Sequence, residues 1–369
     1  MRKVLHYKTN YLNSSETFID RLVRNHKSYK PAALCYRYRE FTEGLQVYSV
    51  PSDILSAFLN TTAFHLNLPL PYYYSVLKEC KPDIIHSHFG FDAVKMMHIA
   101  ESMRIPHIIS FYGSDVSRLP GEFRWKKRYG KLAQKGSHFI AASAFMKNQL
   151  IELGFPKERI SIVRFGVDLN SSSFKKQFTL TPRMMMVGRM VEKKGFEYAI
   201  KSVKHLKERG VQSELNLYGD GPLMNSLKSL TSELMLNGSV NFHGYQPIGK
   251  ILDAHNSHSV LLAPSVTASD GDMEGLPNTI LEAMAKGTLV LTTRHAAIPE
   301  VIIDQNSGFL VKERDAEALA DVLVQVFENG YDLHTIRNNA RHVVEKNYCV
   351  GRMVDELETV YNMAIEESR

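Results

Sequence analysis

Short aliphatic or β-branched runs bounded by polar turns alternate along the chain with longer stretches whose apolar residues recur at helical spacing. That alternation constrains the fold most, because parallel strands need long crossovers and helices supply them. Strands are predicted at residues 4–7, 32–36, 83–88, 107–111, 138–142 and 161–164, then at 183–187, 214–218, 239–243, 259–263, 289–292 and 308–311. The 369 residues exceed what one hydrophobic core usually serves, so two doubly wound α/β domains are expected. Turn residues Asp168 and Asn170 to Ser173 place the link between them. The expected division is a Rossmann-like N-terminal domain over 1–170, a Rossmann-like C-terminal domain over 180–349, and a terminal helix over 350–369. In that last segment Met353, Leu357, Val360, Tyr361 and Ala364 form an apolar stripe, expected to pack back across the junction. Open α/β sheets bind ligands beyond the carboxyl ends of their strands, so a cleft between the two domains is the expected site.

Composition narrows the function class. With 44% apolar and 23% charged residues and no low-complexity tract, the chain is neither disordered, collagenous nor coiled coil. Its apolar runs are too short to span a bilayer, and the N-terminus turns polar by Lys8, before a secretory signal could develop. Three scattered cysteines, Cys35, Cys80 and Cys349, fit neither a disulfide framework nor a zinc site, so a cytoplasmic location is expected. The net charge of +6 is uneven: residues 1–176 carry 26 basic and 14 acidic residues, the remainder 19 and 25. The basic half could face an anionic substrate, a membrane or nucleic acid, and charge alone does not choose.

The richest stretch runs from Asp270 to Gly287. Pro277 suits the start of a helix, Ile280, Leu281 and Met284 give it an inward stripe, and Gly287 suits its end. The uncapped N–H groups of that helix start form an anion site, with Glu274 just ahead of it. Glu282 lies deeper, where a carboxylate would accept from vicinal hydroxyls, although a solvated helix residue is the alternative. Gly188, Arg189, Lys194 and Gly195 end the strand at 183–187 with cations in a glycine-flanked loop, suited to a diphosphate. Neither GxxxxGK[ST] nor GxGxxG occurs, so ATPase and nicotinamide readings lack their motif.

Taken together, Gly188-Arg189 with Lys194-Gly195, Gly219-Asp220-Gly221-Pro222, Phe242-His243-Gly244, Ala263-Pro264-Ser265, Glu274 x7 Glu282 with Gly275-Leu276-Pro277-Asn278, and Ile298-Pro299-Glu300 resemble the ordered signature of retaining family-4 glycosyltransferases of GT-B fold. In the first half, Ser14-Ser15-Glu16-Thr17 and His86-Ser87-His88-Phe89-Gly90 are similar to bacterial exopolysaccharide members of colanic-acid type. The resemblance implies that Arg189 and Lys194 hold the donor diphosphate and stabilise the leaving nucleotide. It implies further that Glu274 reaches the transferred sugar, Glu282 the ribose, Gly275 to Asn278 the sugar and phosphate, and Gly244-Tyr245 the nucleobase. Catalytic candidates are therefore Glu274, Arg189 and Lys194; acceptor-side candidates are Glu16, His88 and Asp115. The implied activity is retaining transfer of a hexose-type sugar from a nucleotide diphosphate sugar, UDP favoured over GDP, to a lipid-linked or polysaccharide acceptor in surface-glycan synthesis. A GT-B sugar-nucleotide epimerase and a catalytically silent sugar-nucleotide-binding subunit are the alternatives.

Where the family carries a histidine before glycine to support the donor sugar, this chain has Tyr112, which is expected to keep the positioning role by donating a hydrogen bond. Ala296-Ala297 replaces a common glycine and reads as a tolerated loop change. His86 and His88 are read as facing opposite sides of their strand, and with no third ligand evident, no metal is expected. Asp270 and Asp272 could bind Mg²⁺, but Arg189, Lys194 and the helix start already supply the charge, so cofactor-free, metal-independent transfer is expected. A glycosidase pair is disfavoured because Glu274 and Glu282, if both helical, would lie about 12 Å apart along the axis. Arg118, Arg124, Lys126, Lys127, Arg128, Lys131 and Lys135 interleave with Phe123, Trp125 and Tyr129. That basic aromatic segment suits docking to the inner face of an anionic membrane rather than nucleic acid, for which no recognised module is present.

Overall fold

The computed structural model describes residues 1–11, 16–38, 44–51, 70–175 and 177–368. The segment Ser14-Ser15 of the first-half motif lies outside the described residues. Contacts divide the chain into two units, Met1–Gly166 with Val350–Arg369, and Val167–Cys349.

The first unit holds a seven-stranded parallel sheet of β1 (Arg2–Tyr7), β2 (Tyr29–Cys35), β3 (Gln46–Ser49), β4 (Ile84–His88), β5 (His107–Ser110), β6 (His138–Ala141) and β7 (Ile160–Ile162), in spatial order 3-2-1-4-5-6-7. The order reverses at β1, which pairs with both β2 and β4. Successive residues of β1 face opposite sides: Val4 packs in one core cluster and Leu5 in another. Leu5's side is covered by α2 (Pro71–Cys80) and α3 (Gly90–Ser102), through Tyr73, Val76, Leu77, Met96 and Ile99. Val4's side is covered by α1 (Thr17–Arg24), with α4 (Phe123–Lys135) and α5 (Ala144–Glu152) elsewhere in the unit. On that same side lies the terminal helix, residues Val350–Glu367, whose Met353, Leu357, Val360, Tyr361 and Ala364 pack with Val4, Ile84, Ile108 and Ile140. The terminal helix is thus a core element of the first sheet.

The second unit has a six-stranded parallel sheet of β8 (Arg183–Val187), β9 (Glu214–Tyr218), β10 (Val240–Phe242), β11 (Val260–Ala263), β12 (Leu289–Thr293) and β13 (Phe309–Val311), in spatial order 10-9-8-11-12-13. Its helices are α6 (Phe196–Glu208), α7 (Met224–Glu233), α8 (Ile248–Ala254), α9 (Asn278–Lys286), α10 (Ala316–Phe327) and α11 (Leu333–Asn347), which makes the terminal helix α12. Asp315 and Asp332 cap α10 and α11 by accepting from Ala318 N–H and Thr335 N–H. Helix α9 starts after Pro277 and ends at Gly287, whose φ of +79° is the left-handed conformation a helix stop favours.

Candidate functional site

Gly188, Gly219 and Gly244 follow strands β8, β9 and β10, and at Gly219 the backbone of the neighbouring strand end leaves no room for a side chain. Gly219 N–H donates to the Gly244 carbonyl at 2.8 Å, and a Cβ on Gly219 would sit 1.9 Å from the Gly188 carbonyl oxygen. The loop after β8 turns through Glu192–Lys194 and enters α6 at Gly195, with φ +72°. A Cβ there would lie 1.9 Å from the Pro264 oxygen, so the loop is pressed against the end of β11. Val266 N–H donates to the Lys193 carbonyl at 2.9 Å and pins the contact.

This packing brings Lys193 and Lys194 to the segment before α9. Lys194 Nζ lies 3.0 Å from Glu274 Oε2, and Lys193 Nζ lies 3.4 Å from Glu274 Oε1 and 3.2 Å from Asp272 Oδ2. Burial alone would raise the Glu274 carboxyl, but Lys194 and then Lys193 outweigh it and hold it down at about 2. Burial pulls Lys193 down, and Glu274 and Asp272 more than compensate, so it is raised. Asp272, weighed above as a Mg²⁺ ligand, faces a lysine instead.

The Glu274 backbone is held as firmly as its side chain. Its N–H donates to His295 Nε2 at 3.1 Å, which leaves the His295 proton on Nδ1, donated to Glu313 Oε1 at 2.7 Å. Gly275, Leu276 and Pro277 are buried, and α9 begins with no side-chain cap, so its first N–H groups are uncommitted to a capping group. Beside them Asn278 Oδ1 is buried without a hydrogen-bond partner among the described residues. Glu282 is buried at 5% exposure, which excludes the solvated-helix alternative. Arg189 is exposed, as is Tyr245 at 62%, next to Gly244. Glu274 lies outside α9, which begins at Asn278, so the helical spacing used against a glycosidase pair does not apply.

Sequence reasoning missed Lys193, His295 and Glu313. Lys193 adjoins a chosen residue, but nothing in the spacing of His295 and Glu313 ties them to Glu274. Ala296 is a further departure from expectation: its φ is +44°, so the glycine replacement is strained rather than neutral. Ala296→Gly is expected to stabilise the protein by about 0.5–1 kcal/mol, the relieved strain exceeding the added unfolded-state freedom; an unchanged or lowered Tm would contradict it.

In the first unit, the Asp115 carboxylate is fully buried and accepts from Gly90, Tyr112 and Gly113 N–H groups at 2.9–3.1 Å. It fastens the loop after β5 to the start of α3. Glu16 Oε2 lies 3.4 Å from Lys8 Nζ, itself 3.5 Å from buried Asp92. His88 is fully buried and hydrogen-bonds Tyr112 Oη at 2.7 Å. His86 and His88 share one face of β4, with ring centroids 4.4 Å apart, which corrects the opposite-face reading: residues two apart on a strand point the same way. His6 of β1 joins them, and one nitrogen from each of the three lies within 4.8 Å of the others, a group that could hold a metal ion.

Residues 171–343 match the family model for glycosyl transferases group 1, and residues 19–171 that for glycosyltransferase family 4. WcaL of Escherichia coli (strain K12), a glycosyltransferase assigned to colanic acid biosynthesis, is 33% identical over 273 residues, spanning 73% of this chain and 67% of WcaL. The chain belongs to the group 1 and family 4 glycosyltransferases. The amylovoran biosynthesis glycosyltransferase AmsK of Erwinia amylovora is 32% identical over 270 residues, 72% of this chain and 66% of AmsK; the match thus covers about two thirds of each relative. Among solved structures, Anabaena HepE with UDP and glucose superimposes with TM-score 0.82 at 16% identity, over 98% of this chain and 100% of HepE. Sucrose-phosphate synthase of Thermosynechococcus elongatus gives 0.80 at 14% identity, over the whole of both chains. The fold of this glycosyltransferase is GT-B.

Proposed function

We propose that the chain transfers a hexose-type sugar, with retention and without a metal, from a nucleotide diphosphate sugar to a lipid-linked or polysaccharide acceptor in surface-glycan synthesis. The observation that carries this is the lysine-clamped Glu274 beside the uncapped start of α9. An incoming diphosphate supplies the negative charge that Glu274 now gives Lys194, and the α9 N–H groups and exposed Arg189 add to it. Departure of the nucleotide concentrates charge on the diphosphate, and fixed cations stabilise that charge without reorganising. Released from Lys194, the Glu274 carboxylate takes sugar hydroxyls; buried Glu282 takes the ribose hydroxyls, and the Gly244-Tyr245 turn borders the base. UDP is favoured because HepE was solved with UDP and with UDP-glucose, and the acceptor class follows the colanic acid and amylovoran relatives. The test is a panel of UDP-, GDP- and ADP-sugars, reading donor hydrolysis and the anomer released. Turnover of one nucleotide class with the donor's anomeric configuration kept supports the reading; inversion or epimerisation of the sugar refutes it.

Helix α4 supports a further part of the proposal, docking at an anionic membrane surface on the cytoplasmic side. Phe123 is 84% exposed and borders a surface groove with Arg124, Lys127, Arg128 and Lys131. No described helix is long and apolar enough to cross a membrane. Neutralising Lys126, Lys127 and Arg128 together is expected to weaken sedimentation with anionic vesicles by about 10²-fold, at about 1 kcal/mol per charge, and to spare donor hydrolysis. Unchanged sedimentation would remove membrane docking from the proposal.

A further inference from the structure

Three neighbouring strands of the second sheet, β11, β12 and β13, end in loops that meet at the Glu274 backbone. Glu274 lies between β11 and α9, His295 two residues beyond β12, and Glu313 two residues beyond β13. His295 is fully buried, and its Nε2 accepts the Glu274 N–H at 3.1 Å. A backbone N–H can only donate, so Nε2 is bare and the His295 proton sits on Nδ1, 2.7 Å from Glu313 Oε1. The other oxygen, Glu313 Oε2, accepts the Thr267 N–H at 2.9 Å. Glu313 thus faces a donor with each oxygen, and through them it holds both ends of the segment from Thr267 to Glu274. Glu192 fastens the middle of that segment, accepting from the Ser269 N–H at 3.0 Å and the Ser269 hydroxyl at 2.7 Å.

The two holds on Glu274 respond differently to an arriving donor. Lys193 and Lys194 grip its carboxylate by charge, and a bound diphosphate competes for the same cations. The His295 contact grips the backbone through a neutral nitrogen and does not draw on those cations. When Lys194 turns to the diphosphate, the carboxylate is released but the backbone that carries it is not.

We propose that His295 and Glu313 are a positioning pair for the donor site, keeping the Glu274 backbone in place when the donor draws Lys194 off its carboxylate, so that the carboxylate meets the transferred sugar in a fixed geometry. This rests on the reading above that Glu274 takes the sugar hydroxyls. Both residues act through Glu274, and neither is a catalytic residue.

Steady-state kinetics and UDP titration of the full chain test the pair, with nitrogen NMR of histidine-labelled protein. Wild type should show His295 in its Nδ1–H form. His295→Asn reaches only as far as Nδ1 and leaves the Glu274 N–H without its acceptor. It should lower kcat by about 10²-fold, the cost of an ångström-scale misplacement, with donor KM and the Kd of UDP within about 3-fold of wild type. His295→Gln, whose side-chain oxygen reaches the place of Nε2, should recover most of that loss. In Glu313→Gln one oxygen must serve two donors, so two donors meet either at Thr267 or, through a shifted His295 proton, at Glu274. Its kcat should fall by about 10-fold or more. Combined with Glu274→Ala, His295→Asn should cost nothing further, because the carboxylate it positions is gone. An Nε2–H form of His295 in the wild type, equal kcat in His295→Asn and His295→Gln, or a His295→Asn loss that persists in full on Glu274→Ala overturns the proposal. If His295→Asn does not fold, the wild-type tautomer and the Glu313→Gln penalty decide the same point. Failure of the proposed function would show in the wild type, as absence of nucleotide-sugar turnover, whereas failure of the positioning pair would show in an active wild type whose variants keep its kcat.

Discussion

Lys194→Ala is expected to lower nucleotide-sugar turnover by about 10²–10³-fold, the usual cost of removing one fixed group that stabilises leaving-group charge. Lys194 Nζ lies 3.0 Å from Glu274 Oε2, and that carboxyl is held at about 2, so Glu274 is ionised at neutral pH. Glu274→Ala should cost a similar factor in kcat by a different route, since the donor sugar loses an acceptor while Lys193 and Lys194 remain to bind the diphosphate. KM for the donor should therefore rise in Lys194→Ala and stay within about 3-fold in Glu274→Ala. Steady-state kinetics with one donor decides this; unchanged kcat in both variants would mean that the clamp is only structural. The clamp also carries a pH signature. Because the folded carboxyl is depressed from 4.5 to about 2, its stabilising contribution is present above pH 4.5 and lost as pH falls through about 2. Tm of wild type and Glu274→Gln should differ at pH 7 and converge at the acid end.

Gly195→Ala is expected to destabilise the second unit by about 4 kcal/mol or more, the range of severe backbone conflicts. Two costs combine: a φ of +72°, unfavourable for alanine, and a Cβ placed 1.9 Å from the Pro264 carbonyl oxygen, a backbone atom that cannot rotate aside. Relief requires moving the loop that carries Lys193 and Lys194, so folded variant protein should also bind nucleotide poorly. Gly210→Ala, with φ +79° and open space around its Cβ, is the control that isolates the φ cost, and it should lose only about 1 kcal/mol. Equal denaturant midpoints for the two variants would show that the Pro264 contact is slack.

The alternation of apolar runs located twelve of the strands in the two large sheets, because a strand buried on both faces is mostly aliphatic. It missed β3, Gln46–Ser49, an edge strand whose residues are only partly buried. Helix α9 was legible at both ends, since Pro277 and Gly287 act through local backbone geometry. The role of α12 was not legible. An apolar stripe states that a helix packs but not on what, and Glu358 and Tyr361 meet His26 and His86 across 332 and 275 residues of sequence. Arg189 and Lys194 were chosen through their motif, whereas the partners that hold the Glu274 backbone depend on which strand ends the sheet order brings together. His295 reaches Glu274 only because β12 lies beside β11.

Calorimetric titration with UDP, GDP and ADP, using the wild-type chain and Lys194→Ala, tests most directly whether the clamp in the second unit receives a nucleoside diphosphate. UDP should bind the wild type most tightly, and Lys194→Ala should weaken it by about 10-fold or more, the loss of one charged hydrogen bond. Absence of binding by all three diphosphates, or equal affinity in wild type and variant, would contradict the account.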